Sequence, residues 1–255
     1  GVIPKREGAI YLQFFSIFFK GIIAVNTELE AWARRKLFCK HIIYLQNYVV
    51  VNNDFDKTTF LKGEEGKRVL YLANLRHQKN HFLLVDAVQK VHNKFPDWTF
   101  HLVGNDSNND YSTRLKAKIK EYKLENVIYI YGSKQDTENI ISQCDLAVFA
   151  SNSEGLPVAL LEYGLFSKPV VSTNVGQIPF IVEHGKCGFI SEIGNASAFS
   201  VNLETLMADK ELRLKFGQEI HKVILDNYSE EVVIDKYVAW ILEIKNIKIN
   251  SLNAR

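Results

Sequence analysis

The sequence predicts an α/β fold, a doubly wound parallel sheet over residues 66–230. Two observations predict it. Strand-like and helix-like segments alternate along the chain, and the strand segments are apolar throughout instead of alternating apolar and polar. Continuous apolar strands belong to sheets covered by helices on both faces, and right-handed crossovers then wind the chain in both directions. The composition permits this: 255 residues, 47% hydrophobic and 24% charged, suffice for one large domain or two small ones.

The elements follow in order. Ala9–Val25, AIYLQFFSIFFKGIIAV, is interrupted by Gln13, Ser16, Lys20 and Gly21. A membrane-spanning helix needs about twenty mostly apolar residues, so this segment reads as an aromatic-rich helix feeding a strand, GIIAV (21–25). A helix lying on a membrane surface is the alternative if Phe14, Phe15, Phe18 and Phe19 are left uncovered. Asn26–Thr27 is a capping pair for a helix from Glu28 to about Phe38, and HIIYL (41–45) is a short β-rich run. Asn47–Lys62 is polar and irregular, a connector. These first sixty residues hold too few elements for a core of their own and read as the tail of a preceding domain.

RVLYLA (68–73) is a strand. A helix then starts at Asn80 or His81 and lines up Leu83, Leu84, Ala87, Val88 and Val91 on one face. WTFHLVG (98–104) is a strand ending at Gly104, and Tyr111–Tyr122 is a charged amphipathic helix. NVIYIYG (126–132) is a strand ending at Gly132, Thr137–Gln143 a short helix, and DLAVFAS (145–151) a strand. A helix begins at Pro157. KPVVST (168–173) and GFIS (188–191) are strands, and 196–208, 209–228 and 229–247 are helices.

Charge and cysteines narrow the function classes. A net charge of +2 gives no electrostatic case for nucleic acid. Cys39, Cys144 and Cys187 are isolated and odd in number, as reduced thiols in the cytoplasm are. No G-x-G-x-x-G follows a strand, which argues against a dehydrogenase. His77 and His81 have the i, i+4 spacing of a zinc pair, but no third ligand accompanies them, so solvated or capping histidines are the better reading.

In an open parallel sheet the ligand lies beyond the carboxyl ends of the strands, at a switch point. That points to the loops after Ala73, Val103, Tyr131 and Ala150. In the last of these, Ser151–Glu154 are polar, Gly155 lets a ligand approach the backbone, and Pro157 suits a first helical position. A helix amino terminus attracts phosphate, which Glu154 cannot touch. As an acceptor, Glu154 suits the hydroxyls of a neutral group beside that phosphate. Glu162 sits among Leu160, Leu161, Tyr163 and Leu165, and a buried carboxylate needs donors. Paired ribose hydroxyls would serve. A salt bridge or backbone contact is the plainer account of either glutamate alone, but the two together astride a Gly-Leu-Pro turn favour a ligand.

The stretch SNSEGLPVALLEYGLFSKPVVSTNVGQIPFIVEHGKCGFI resembles the donor-site signature of retaining GT-B glycosyltransferases of family 4, the glycosyl transferases group 1. The likeness extends over VLYLANLRHQKNHFLLVDAV, TFHLVGNDSN, VIYIYGSKQD, YSEEVVIDKYVAWILEI and GIIAVNTELEAWARRKLFCKHIIYLQNYV, nearly the whole chain. It implies a Rossmann-like donor half of a GT-B fold. Residues 1–50 would be a remnant of the N-terminal acceptor domain, 51–65 the connector, 66–230 the donor-binding domain, and 231–255 a closing helix and tail.

The resemblance also implies roles. Glu162 would hold the donor's ribose and Glu154 the transferred sugar. The amides of Gly155, Leu156 and Val158 would face the diphosphate, and Gly104 and Gly132 belong to the donor-binding set. Family members carry an arginine and a lysine five residues apart for the diphosphate. Lys79 matches the lysine, but Asn74 stands at the arginine, and Arg76 would supply the missing charge. Ser167 stands where glycine is common, and Phe180 where an acidic residue often follows Pro179. The catalytic set implied is Glu154, Lys79 and Arg76, with no cofactor and no metal. The donor would be a nucleotide-sugar, UDP-linked by default, and the acceptor a glycan or lipid-linked intermediate. The location would be the cytoplasm, with peripheral contact at the inner membrane face left open.

Three other readings stand beside this one. Asp54-Phe55-Asp56 is a D-x-D of the sort that holds a divalent ion in metal-dependent GT-A transferases, though so short a motif arises by chance. The same fold also serves nucleotide-sugar epimerases or phosphorylases, and non-enzymatic binding modules.

Overall fold

The computed structural model describes residues 6–50, 52 and 54–253, with side chains over 10–50, 52 and 54–245. The chain divides into two compact units, 1–50 with 226–255, and 51–225.

The first unit opens with α1 (Arg6–Phe15) and a 3₁₀ turn (Ser16–Phe18), then β1 (Ile22–Ala24), α2 (Thr27–Lys36) and β2 (Ile42–Tyr44). The strands pair in parallel, Ile22 against Ile42. Asn26 caps α2 by accepting the Leu29 N–H at 2.7 Å. The helix stops at Lys36, short of the expected Phe38. Leu37 leaves it in an extended conformation and buries its side chain with Trp32, Ala33, Cys39 and Ile42. The Phe38 amide goes instead to Ser16 Oγ at 2.8 Å. Phe14, Phe15, Phe18 and Phe19 are all exposed. No helix among the described residues is long and apolar enough to cross a membrane.

The second unit is the expected α/β domain. In chain order it runs β3 (Arg68–Leu72), α3 (His81–Val91), β4 (Thr99–Val103), α4 (Asp110–Glu121), β5 (Ile128–Ile130), α5 (Thr137–Ser142) and β6 (Leu146–Phe149). It continues with α6 (Val158–Leu165), β7 (Val170–Thr173), α7 (Ile178–Ile181), β8 (Gly188–Ser191), α8 (Ala196–Ala208) and α9 (Lys210–Tyr228), and α10 (Glu230–Asn253) follows in the first unit. The sheet order is β5-β4-β3-β6-β7-β8, every pair parallel. The inner strands β3, β4, β6 and β7 are buried along most or all of their length, which is why their sequences do not alternate apolar and polar residues. β5 is shorter than NVIYIYG suggests because it is an edge strand. It pairs on one side only, and the Val127 amide closes a turn onto the Leu124 carbonyl.

Two details shape the ligand end of the sheet. β3 pairs with β4 as far as Leu72–Val103, but with β6 only at Val69–Leu146 and Leu70–Ala147. Beyond that the strands part, and the Leu72 N–H donates to Tyr163 Oη from α6 at 2.6 Å. The strand order reverses between β3 and β6, so the crevice opens at the switch point. Behind it, Gly164 lets α6 approach α9 closely, since a Cβ there would sit 2.3 Å from Ile224 Cγ1.

Candidate functional site

The crevice is a cleft of about 370 Å³ at the carboxyl ends of β3, β4 and β6. Its lining includes Asn74, Lys79, Gly104, Lys134, Thr137, Glu154, Val158 and Glu162. All four loops that the strand-end rule selects contribute.

Glu154 enters from the β6–α6 loop and Lys79 from the facing β3–α3 loop. Glu154 Oε1 accepts from Lys79 Nζ at 2.6 Å and from Ser151 Oγ at 2.6 Å. The glutamate side chain is 6% exposed and the lysine 23%. The loops are clasped further by Asn80 Nδ2 on Asn152 Oδ1 (3.0 Å), Gln78 Nε2 on the Ser153 carbonyl (2.8 Å) and the Asn152 amide on the Gln78 carbonyl (2.8 Å). Lys79 ends a 3₁₀ turn (His77–Lys79), and Asn80 then takes the left-handed region at φ 45°. Asparagine tolerates that conformation better than most residues.

Glu162 lies on the first turns of α6, facing the cleft. Burial, and then the nearby Glu138 carboxylate, push its pKa above the usual value. Among the described residues nothing donates a hydrogen bond to its carboxylate, so no internal salt bridge or backbone contact accounts for it. Val158 is the first residue of α6 and lines the cleft. Pro157 is the cap rather than the first helical residue. Its missing N–H costs nothing at either position.

The other predicted residues fall as follows. Asn74 lines the cleft, but its Oδ1 accepts the Asn105 N–H at 2.8 Å and so ties two loops together. Gly104 permits close approach, since a Cβ there would lie 2.3 Å from the Ala73 carbonyl oxygen. Its amide donates to the Gly132 carbonyl at 3.0 Å. Gly132, Gly155 and Leu156 flank the cleft without lining it, and the Leu156 side chain is buried. Arg76 is exposed and does not line the cleft. The lining cation besides Lys79 is Lys134, from the β5–α5 loop, with no ion pair among the described residues. That loop was one of the four indicated by the strand ends, and a lysine two residues past Gly132 is the signal that could have found it.

Asp54 and Asp56 are exposed and lie outside the cleft, and Phe55 between them packs edge-on against Phe166 at 6.0 Å. His81 is fully buried against the Tyr71 ring, and burial lowers its pKa to about 4, so it is neutral. His77 is exposed. No cluster of three metal-ligating side chains occurs among the described residues.

A parallel sheet with a cleft at its switch point is the ligand-binding architecture of doubly wound α/β folds, a class that includes the GT-B glycosyltransferases. The sequence profile of the family described as Glycosyl transferases group 1 matches residues 52–223, and the chain belongs to that family. Among curated proteins it is similar to N-acetyl-alpha-D-glucosaminyl L-malate synthase of Bacillus anthracis, 24% identical over 175 residues, 69% of this chain and 45% of that one. Among solved structures it is similar to a glycosyltransferase from Rickettsia africae ESF-5, with TM-score 0.80 and 22% identity over 96% of this chain and 68% of that one. Anabaena Alr3699/HepE in complex with UDP and glucose gives TM-score 0.76 and 19% identity over 94% and 68%. At these identities the structural likeness concerns the fold. The chain spans about half the length of the curated relatives it matches.

Proposed function

We propose that this chain is the donor-binding part of a retaining glycosyltransferase of family 4, taking a UDP-sugar as donor and a glycan or lipid-linked acceptor, in the cytoplasm. The chain binds the donor in the cleft of the unit formed by residues 51–225. The observation that carries this reading is Glu162, a partly buried carboxylate facing the cleft with no donor among the described residues. Two adjacent ribose hydroxyls supply what it lacks.

The rest of the cleft fits around that anchor. Lys79 and the amino terminus of α6 stabilise the diphosphate as it leaves. Electrostatic stabilisation of this kind is usually the largest single catalytic contribution. Glu154 accepts from a hydroxyl of the transferred sugar and orients the anomeric carbon, and no side chain acts as nucleophile. The complex of the structurally similar Anabaena Alr3699/HepE with UDP and glucose supports the donor class, and poly(ribitol-phosphate) alpha-N-acetylglucosaminyltransferase of Staphylococcus aureus, 23% identical over 93% of this chain and 46% of that one, supports transfer of a sugar to a glycan-like acceptor.

A thermal-shift series with UDP, GDP and ADP, with and without manganese, tests the reading. A ligand that binds only the folded chain stabilises it by RT ln(1 + [L]/Kd), so tighter binding at one concentration gives a larger rise in melting temperature. The expected result is stabilisation by UDP without a metal requirement. Stabilisation only in the presence of manganese would overturn metal-independent binding of the donor.

A further inference from the structure

Behind the cleft lie two fully buried hydroxyls, those of Tyr71 and Ser151, that the proposed chemistry does not use. The Tyr71 phenol is 2.6 Å from the Lys79 carbonyl oxygen and 2.9 Å from Ser151 Oγ. Ser151 Oγ is 2.6 Å from Glu154 Oε1. These are three oxygen–oxygen contacts served by two hydroxyl protons. A carbonyl only accepts, so the phenol proton goes to Lys79. An ionised carboxylate only accepts, so the serine proton goes to Glu154. The contact between the two hydroxyls then carries no proton.

That contact gains its proton when Glu154 moves away. Ser151 can then turn its hydroxyl to the Tyr71 oxygen, already within hydrogen-bonding reach. Without such an acceptor the serine hydroxyl would be stranded in a dry interior, and the desolvation cost would hold Glu154 in place. The surroundings are fixed. Thr173 Oγ1 donates to the Ser151 carbonyl at 2.6 Å, and the Tyr71 ring lies against His81 and Phe149 with centroids 4.9 and 6.1 Å away.

We propose that Tyr71 is a positioning residue acting on Glu154 through Ser151, its oxygen being the second acceptor that lets Glu154 leave Ser151 and engage a hydroxyl of the donor sugar. The inference rests on the nucleotide-sugar reading of the cleft and adds a two-state hydroxyl behind it. A phenylalanine at position 71 would fill the same space and could not do this.

The test uses the full chain as wild type, Tyr71→Phe, Ser151→Ala and the double variant. Titration calorimetry is run with UDP and with UDP-glucose, UDP-galactose and UDP-N-acetylglucosamine, keeping the tightest of the three. The readout is the ratio of UDP-sugar affinity to UDP affinity. Tyr71→Phe is expected to lower that ratio about tenfold. Ser151→Ala alone keeps or raises it, and the double variant regains the Ser151→Ala value, because no serine proton is left to strand. A tyrosine with a merely structural role would weaken UDP and UDP-sugar alike in both backgrounds. An unchanged ratio in Tyr71→Phe, an equal loss for both ligands, or a loss persisting in the double variant overturns the inference and leaves the cleft's assignment intact. A wild type that binds UDP with no gain from any sugar does the same. If Tyr71→Phe does not fold, a lowered ratio in Ser151→Ala overturns it. A wild type that binds none of the four ligands overturns the nucleotide-sugar reading itself.

Discussion

Lys79 Nζ lies 2.6 Å from Glu154 Oε1, so the cation expected to meet the donor's diphosphate is held by the carboxylate expected to meet its sugar. The pair is mostly shielded from water, where such contacts weigh more than surface ion pairs. On the proposed reading, a nucleoside diphosphate would share Lys79 with Glu154. Glu154→Gln is therefore expected to tighten UDP binding about fivefold, because an ion pair is replaced by a weaker hydrogen bond from the Lys79 ammonium to a neutral amide oxygen. Lys79→Ala should weaken UDP about tenfold or more and lower turnover in any transfer-competent form. Calorimetry of both variants decides the matter, and weaker UDP binding by Glu154→Gln rules out the competition.

Glu162 works against stability at neutral pH. Burial and the Glu138 carboxylate raise its pKa in the folded chain. The fold thus holds this proton more tightly than the unfolded chain does. Its favourable contribution is complete below the unfolded value and is lost as pH rises through the folded one. Glu162→Gln should raise the melting temperature at pH 7 by a few degrees, with the gain disappearing below the ordinary glutamate range. The same variant should bind UDP about tenfold more weakly, as expected for losing a charged acceptor. Unchanged UDP affinity would remove the ribose role.

Asp136 carries the opposite sign. Burial alone would raise its pKa, but the Thr59 hydroxyl (2.8 Å), the Thr59 amide (2.6 Å), the Asn139 amide group (2.9 Å) and the Thr58 amide (3.0 Å) outweigh that and hold it well below the usual carboxylate range. These bonds fasten the irregular segment before β3 to the start of α5. The stability they contribute is present above the unfolded value of 3.8 and is lost as pH falls towards the folded one. Urea titrations between pH 6 and 2 should show this fall in wild type and a flatter profile in Asp136→Asn. At pH 7, Asp136→Ala should cost about 3 kcal/mol by stranding buried donors.

Ser167 stands where the family resemblance led us to expect glycine, and it takes φ 54° after α6. A side chain in the left-handed region costs about 1 kcal/mol, and Ser167 is exposed with no side-chain hydrogen bond among the described residues. Ser167→Gly should stabilise the chain by about 0.5–1 kcal/mol, read as a higher urea midpoint with an unchanged slope. A lower midpoint would mean that chain entropy outweighs the strain.

Much of this was legible in the sequence because the signals are local. Each of the six strands is built around an apolar run, and burial of the inner strands on both faces leaves little room for alternation. Glu154 and Glu162 could be assigned to one cleft because seven intervening residues span one turn and the start of one helix. The cations were harder. Arg76 and Lys79 are three residues apart, yet only Lys79 reaches the cleft. The outcome depends on a 3₁₀ turn and on Asn80 at φ 45°, which the facing loop holds through Asn152.

By itself the sequence determined the class of fold, the strands, the strand ends that form the site and the two glutamates within it, because hydrophobic period and strand-end geometry follow from neighbouring residues. Only the tertiary structure decided that Lys79 rests on Glu154, that Lys134 lines the cleft where Arg76 does not, and that Tyr71 touches Ser151. The Lys79–Glu154 and Tyr71–Ser151 contacts join residues 75 and 80 positions apart where β3 and β6 separate, and no local pattern encodes which way a side chain turns across such a gap. In its strand, Tyr71 reads as one more apolar residue. Its hydroxyl acquires a role only when folding sets Ser151 2.9 Å away.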